Sequence, residues 1–293
     1  MNLTDGGVKT PFGTERLFQK KAASFQFLSW NASKRIQLGF FQGMIWQSAD
    51  SMNIMNLNAF YFNPIIFANA NQYGLDNQNN VLLGSTVKLK IINSISFYGQ
   101  YILDELATDF IKTSLHNKQG FQIGGKYFDV LKIKNLHLQL EYNQVRPYSY
   151  AHSISSQSYT HYNQPLAHPL GANLKEAIVF MNYRFGDFFA EVKFISAVIG
   201  KDSIGMNLGN NIFKSDNTSY YGINSTLNQM GQGVKTNLNI VDVHIGYLVN
   251  PSTNFNIVIG ISNRISSNSY TTTQSNFIYF GIRTSLSNVY YDF

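Results

Sequence analysis

No cysteine occurs among the 293 residues, which excludes a disulfide framework, a thiolate zinc site and a cysteine nucleophile. Charge is scarce too: Asp, Glu, Lys and Arg make up 13% of the chain, against roughly 25% in an ordinary soluble domain. No run approaches the ~18 apolar residues that a membrane-crossing helix needs. The opening stretch, Met1-Asn-Leu-Thr-Asp-Gly-Gly7, has neither the basic nor the apolar region of a secretory signal. Hydrophobic residues are plentiful at 44% and aromatic ones at 15%, so the chain is not a disordered one. Few charges beside many Tyr, Phe and Asn fit a surface that meets something other than water.

The net charge of +6 does not point to nucleic acid. Lysines and arginines are scattered, and the densest basic cluster, Lys20-Lys21, has two members. A nucleic-acid groove needs its cations gathered, so a nucleic-acid partner is not expected.

Period-two alternation recurs along the chain. Leu136, Leu138, Leu140 and Tyr142 alternate with His137, Gln139 and Glu141. Val87, Leu89 and Ile91 oppose Lys88 and Lys90, and Phe188, Ala190, Val192 and Phe194 oppose Phe189, Glu191 and Lys193. Phe255, Ile257, Ile259 and Ile261 oppose Asn256, Val258, Gly260 and Ser262, while Ile278, Phe280 and Ile282 oppose Tyr279, Gly281 and Arg283. Such alternation marks strands with one apolar and one polar face. Strands are expected at 22–31, 34–47, 80–92, 94–104, 119–130, 135–148, 175–186, 188–199, 234–248, 254–265 and 276–287. Most exceed the ~5–6 residues of a soluble strand and match the ~9–11 of a tilted strand crossing a bilayer.

The connections alternate in kind. Asn31–Lys34, Ile92–Ile95, Lys132–Asn135, Gly186–Asp187 and Asn250–Thr253 are short turns, whereas 48–79, 105–118, 149–174, 200–233 and 266–275 are long and polar. Short turns at one end and long loops at the other is the layout of a transmembrane barrel. The expected fold class is therefore all-β, an antiparallel transmembrane outer-membrane β-barrel forming a single domain over 1–293. Eleven strands is an odd number, and bacterial single-chain barrels have even ones. Together with the missing signal, this leads to the expectation of the C-terminal part of a larger barrel whose first strands are absent. The end of the chain, with Val289, Tyr291 and Phe293 on one face, reads as the terminal aromatic strand of such a barrel. Within 234–248 the phase slips, as Leu238 and Ile240 give way to Val241, Val243 and Ile245. A β-bulge there would explain the slip, and so would a misplaced boundary.

With the apolar faces on lipid, the opposite faces line the lumen. That places Lys88, Lys90, Lys126, Glu141, Glu191, Lys193, Asp242, His244 and Arg283 inside, as cross-barrel pairs or along an aqueous channel. Trp30, Trp46, Tyr101, Tyr142 and Tyr247, near strand ends, suit interfacial girdles.

No catalytic motif is present: no Gly-x-Ser-x-Gly elbow, His-Glu-x-x-His helix or phosphate-binding glycine loop. Asp187 and Glu191 form no acid–base pair. The densest polar constellation runs from Tyr142 through Arg146, Tyr148, Tyr150 and His152 to Tyr159, His161, His168 and Asn173. Its three histidines could ligate a metal, but spacings of nine and seven match no local ligand motif, so neither metal nor cofactor is expected. Tyr, His, Asn, Gln and Arg together also suit sugar recognition. A structured loop whose prolines fix its path remains the third reading.

At these residues the sequence resembles a known family. The run Glu141-Tyr-Asn-Gln-Val-Arg-Pro-Tyr-Ser-Tyr-Ala-His152, followed by His161-Tyr-Asn-Gln-Pro-Leu-Ala-His-Pro-Leu-Gly-Ala-Asn173, resembles the RemB gliding-motility proteins of Bacteroidetes, themselves similar to the capsule-assembly Wzi family. Lys20-Lys-Ala-Ala-Ser-Phe-Gln-Phe-Leu-Ser29, Gly39-Phe-Phe-Gln-Gly-Met-Ile-Trp-Gln47, Tyr73-Gly-Leu-Asp-Asn-Gln-Asn-Asn-Val-Leu-Leu-Gly84 and Gly281-Ile-Arg-Thr284 extend the likeness over nearly the whole chain. The resemblance implies a non-enzymatic outer-membrane barrel at the cell surface, acting in gliding motility or in attaching and organising capsular polysaccharide. Its partners would be outer-membrane lipid, surface polysaccharide and the gliding or secretion machinery. Arg146, Tyr148, Tyr150, His152, His161 and His168 would then face a glycan or partner from outward loops, with Lys175 and the net positive charge helping to capture an anionic polysaccharide. The competing expectations are a porin-like channel for small solutes, an enzyme housed in a barrel and a soluble β-rich adhesin.

Overall fold

The computed structural model describes residues 2–3, 18–19, 21–47, 63–68, 79–105, 118–217 and 229–284. Eleven strands form one antiparallel sheet: β1 (Lys21–Asn31), β2 (Ile36–Gln47), β3 (Asn80–Lys90), β4 (Ile95–Glu105), β5 (Lys118–Phe128), β6 (Leu136–Val145), β7 (Leu174–Phe185), β8 (Phe188–Lys201), β9 (Val234–Asn250), β10 (Phe255–Ser267) and β11 (Thr272–Arg283). Each strand pairs with its neighbours in chain order, so the sheet is a pure meander with β1 and β11 at its edges. Among the described residues no helix is long and apolar enough to cross a membrane.

The alternation in the sequence becomes two faces of this sheet. Cross-strand partners place Lys88, Tyr98, Gly124, Glu141 and Ile178 in one row on one face, and Lys193 beside Asp242 on the same face. We refer to this as the inner face. The outer face carries Val87, Phe97, Ile123, Leu140, Met181, Phe194, Val243, Ile259 and Phe280, all at least one-third exposed. A continuous exposed apolar belt of this size is unstable against water and suits contact with lipid. Trp30, Tyr101, Tyr142 and Tyr247 lie on it as expected, with exposures of 36–58%. Trp46 does not: it is 2% exposed, packed in a small buried cluster with Met44 and Val81 against Ala22 and Leu83.

Two further expectations are corrected. β8 and β9 pair without a break across 234–247, so no bulge lies at the phase slip; the register shift between β9 and β10 falls at Leu248/Asn250. The slip is a change in which face is apolar. Leu238 and Ile240 point inward to a packed core at the loop end of the sheet, whereas Val241, Val243 and Ile245 point outward. The segment 266–275 is not a long loop: β10 continues to Ser267 and β11 starts at Thr272, leaving a four-residue turn in which Asn268 Oδ1 accepts the N–H groups of Tyr270 and Thr271. The terminal strand at 289–293, the last residues of the expected 276–287 strand and the Tyr73–Gln78 part of the family-like run lie outside the described residues.

The sheet is strongly curved. Gln100 on β4 and Ile240 on β9 line the same cavity, although five strand spacings of ~4.8 Å would set them ~24 Å apart in a flat sheet. The long connections fill the concavity at one end. The β6–β7 loop, residues 146–173, touches β1 through Lys21 Nζ donating to Ser158 O at 2.6 Å, and β3 through Asn80 Nδ2 donating to Gln157 O at 3.0 Å. It touches β4 through Tyr150 N–H donating to Asp104 Oδ2 at 2.6 Å. One loop thus reaches back from β6 and β7 to the first four strands of the wall.

Candidate functional site

The β6–β7 loop turns inward because its backbone polar groups find partners there. Tyr148 donates its N–H to Gly209 O at 2.9 Å and its hydroxyl to Asn207 O at 3.1 Å, tying the loop to the β8–β9 connection. Asn173 closes the loop with one side chain. Its Nδ2 donates to the carbonyls of Gly200 (2.7 Å) and Gln232 (2.9 Å), and its Oδ1 accepts Gly231 N–H at 2.7 Å. Asn210 Nδ2 likewise donates to Ala172 O at 2.7 Å. Beneath them Tyr150, Ala172 and Ile212 of the loops pack on Leu82, Val145 and Leu238 of the wall. Lys118 of β5 and Asp216 of the second loop form a buried ion pair.

This arrangement redistributes the predicted site residues. Tyr148 and Tyr150 are 1% and 4% exposed, so they build the loop's core instead of offering ring faces outward. Burial, and then the nearby charge of Asp104, push the Tyr150 hydroxyl's pKa above its usual value. Arg146 is half-buried where β6 ends, its N–H donated to Gln119 O at 2.9 Å and its carbonyl accepting Asn173 N–H at 3.3 Å. His152 is half-buried, and its Nδ1 accepts Ile154 N–H at 3.1 Å. His168 accepts Leu170 N–H on Nδ1 at 3.2 Å, which leaves Nε2 to donate to Glu176 Oε2 at 2.9 Å. His161 alone of the six is exposed, at the tip of a small hairpin.

That hairpin pairs Thr160–His161 with Gln164–Pro165. Tyr162 and Asn163 occupy its turn at φ 47° and 58°, the two successive positive values of a type I′ turn. Tyr162 is 65% exposed and its ring meets that of His161 edge-on, with centroids 4.2 Å apart. Tyr162 was not singled out by the sequence; the turn that lifts it depends on φ values that only Asn163 advertises.

The three histidines are held by different partners, and among the described residues no three ligating side chains are gathered for a metal ion. The predicted lumen residues Lys88, Lys90, Glu141, Glu191, Lys193 and Arg283 all fall on the inner face by register. Glu141 accepts from Tyr98 (2.5 Å), Gln122 (2.9 Å) and Asn143 (2.9 Å). Asn143 also donates to Glu176 at 2.9 Å, so a continuous polar chain runs from Gln139 through Tyr98 to His168. A second group joins Glu191 to His244 (3.1 Å), and Tyr279 to Asp242 (3.2 Å). Between the first chain and the loop core lies a cavity of about 610 Å³.

Neither a family of sequences nor a curated protein matches this chain. Among solved structures, it is similar to Wzi of Escherichia coli, described as an outer membrane protein involved in group 1 capsule assembly and a carbohydrate-binding β-barrel, with a TM-score of 0.53 and 14% identity. That likeness covers 87% of this chain and 49% of Wzi, so the chain spans about half the length of its structural relative. A second similarity, to OprD of Pseudomonas aeruginosa, has a TM-score of 0.42 and 9% identity over 90% of this chain and 61% of OprD. The fold is that of the outer-membrane β-barrels.

Proposed function

We propose that the chain is a non-enzymatic outer-membrane barrel of the RemB/Wzi kind, which holds or organises surface polysaccharide and serves capsule assembly or gliding motility. The observation that carries the reading is the His161–Tyr162 pair, two aromatic rings in edge-on contact on an exposed hairpin at the loop end of a sheet with a lipid-suited belt. Stacking on a sugar ring and hydrogen bonding to its hydroxyls need such rings, exposed and pre-ordered, so that little side-chain entropy is lost on binding. The likeness to a carbohydrate-binding barrel supports it at the level of the fold. Contacts with gliding or secretion machinery would be made at the same loop end.

The test replaces His161 and Tyr162 together by alanine and measures polysaccharide retained on cells. Heated and unheated electrophoresis of the outer-membrane fraction reports assembly. Lost retention with unchanged mobility is the expected result, whereas full retention removes the hairpin from the reading.

A further inference from the structure

The turn end of the sheet, opposite the His161–Tyr162 hairpin, carries a charge imbalance that composition does not account for. The whole chain has 22 basic and 16 acidic residues. At the turn ends of β1 to β6, within 31–38, 86–98 and 124–139, stand seven cations and a single carboxylate. Lys88 and Lys90 of β3 and Lys126 of β5 lie on the inner face. Lys34, Arg35, Lys132 and Lys134 lie in the two turns beside them. Arg35 and Lys90 are adjacent, with Lys90 N–H donating to Arg35 O at 2.8 Å. Ser96 pairs with both Lys90 and Lys126, which sets these lysines ~10 Å apart across two strand spacings. None of the seven forms an ion pair among the described residues. Six are exposed, and Lys126 Nζ lies over the Tyr98 ring, 5.6 Å from its centroid. The one carboxylate, Asp129, accepts Asn135 N–H at 2.7 Å. Glu141, the next carboxylate up the inner face, already takes Tyr98, Gln122 and Asn143.

We propose that this end of the sheet docks an acidic peptide segment of a protein partner. Like charges gathered this closely create a positive potential that attracts anions. The cations are spread over several strands instead of converging on a point, so a chain with repeated carboxylates meets more of them than one small anion does. Lipid headgroups fit poorly, because Lys88, Lys90 and Lys126 point away from the apolar outer belt. Apolar side chains stand among the cations: Ile92 is 50% exposed, Leu131 78% and Ile133 46%. A peptide can cover these with apolar side chains of its own while its carboxylates meet the lysines. A polymer of sugar acids or phosphates lacks such side chains. The inference does not rest on the polysaccharide reading, which concerns the opposite end of the sheet.

The experiment follows the fluorescence anisotropy of a labelled Glu-Glu-Leu repeat peptide titrated with the full chain in an uncharged detergent. Saturable micromolar binding at low salt is expected, weakening as salt screens it, with no binding of the matching Gln-Gln-Leu peptide. Lys90→Glu/Lys126→Glu and Lys132→Glu/Lys134→Glu should each weaken binding by at least about tenfold. Lys201→Glu/Lys235→Glu, at exposed positions of the loop end, should change it by less than about twofold. Heated and unheated electrophoresis reports that each variant is assembled. Competition on the parent protein compares unlabelled peptide with oligogalacturonate and with phosphatidylglycerol vesicles at equal charge. Stronger displacement by either competitor would overturn the proposal, in favour of a sugar acid or a lipid surface. So would equal weakening by the loop-end pair, or the absence of saturable peptide binding.

Discussion

Asp104 Oδ2, at the loop end of β4, accepts the backbone N–H of Tyr150 at 2.6 Å, and both residues are 4% exposed. A buried carboxylate on the wall thus fixes the backbone of the loop that fills the concavity. Asp104→Ala leaves that N–H without its acceptor at a cost of about 1–3 kcal/mol. The expected result is a loop cut by protease at lower concentration than in the parent protein, with the eleven-strand sheet still assembled. Limited proteolysis of the membrane fraction checks it, and an unchanged cleavage threshold would show that the contact does not hold the loop.

Asn173 predicts a larger loss. Its amide joins β8, the β8–β9 connection and the loop, and it sits at φ 56°, a conformation asparagine tolerates better than most residues. Asn173→Ala deletes four side-chain hydrogen bonds, the one to Leu208 O long at 3.4 Å, at a fully buried position, for about 3 kcal/mol or more. Asn173→Gly relieves the backbone but restores no bond. Both should lower the thermal unfolding midpoint, alanine more than glycine.

Tyr150 gives a pH dependence. Its hydroxyl's pKa is raised in the folded protein, chiefly by burial, so the stability it contributes is fully present below its unfolded value near ~10. That stability declines as the pH rises above this value, because only the unfolded tyrosine ionises readily. Thermal unfolding between about pH 9 and 11 should show a steeper alkaline loss in the parent than in Tyr150→Phe. Equal slopes would assign the alkaline loss to other groups.

The sheet was legible in the sequence because period-two alternation is local: residues such as Leu138 and Gln139 declare their faces without knowing their neighbours. The turn Asn268–Thr271 was missed because the polar alternation of Ser267 and Thr273 resembles a loop when hydrophobicity is the guide. The site was legible only as a stretch of composition. Tyr148 and Tyr150 looked like display residues, since nothing local says that a loop will turn inward. What turns it inward is distant: Asp104, Asn207 and Gly209 supply partners from other parts of the chain. The same distance hides the partners of Glu176, whose carboxylate takes Asn143 from β6 and His168 from the loop.

The inner face carries close approaches that small residues alone permit. Tyr98 lies across Gly124 of the neighbouring strand, so that a Cβ there would collide with its ring. Because Tyr98 also donates to Glu141 and accepts from Gln139, it cannot swing aside without breaking that polar chain. Gly124→Ala should therefore cost about 1–3 kcal/mol by overpacking, and the double variant Gly124→Ala/Tyr98→Ala should recover part of it. Thermal unfolding of the four proteins of that cycle measures the coupling, and strict additivity would mean that the ring relaxes freely.

The outer belt makes the sharpest demand on the environment. Ile259 is 51% exposed on the outer face of β10, and Ser262 lies on the inner face beside Asp242. In lipid, Ile259→Arg should cost about 2–4 kcal/mol near the bilayer midplane, enough to lower the amount of assembled protein in the outer-membrane fraction. Ser262→Arg, facing charged and polar neighbours across the interior, should be tolerated, so assembly after each change reads out which face meets lipid. In a sheet surrounded by water the order would reverse, because an exposed arginine at 259 would cost nothing and improve solubility. Heated and unheated electrophoresis of both variants separates the two environments, and an assembled Ile259→Arg protein would place the belt outside the membrane.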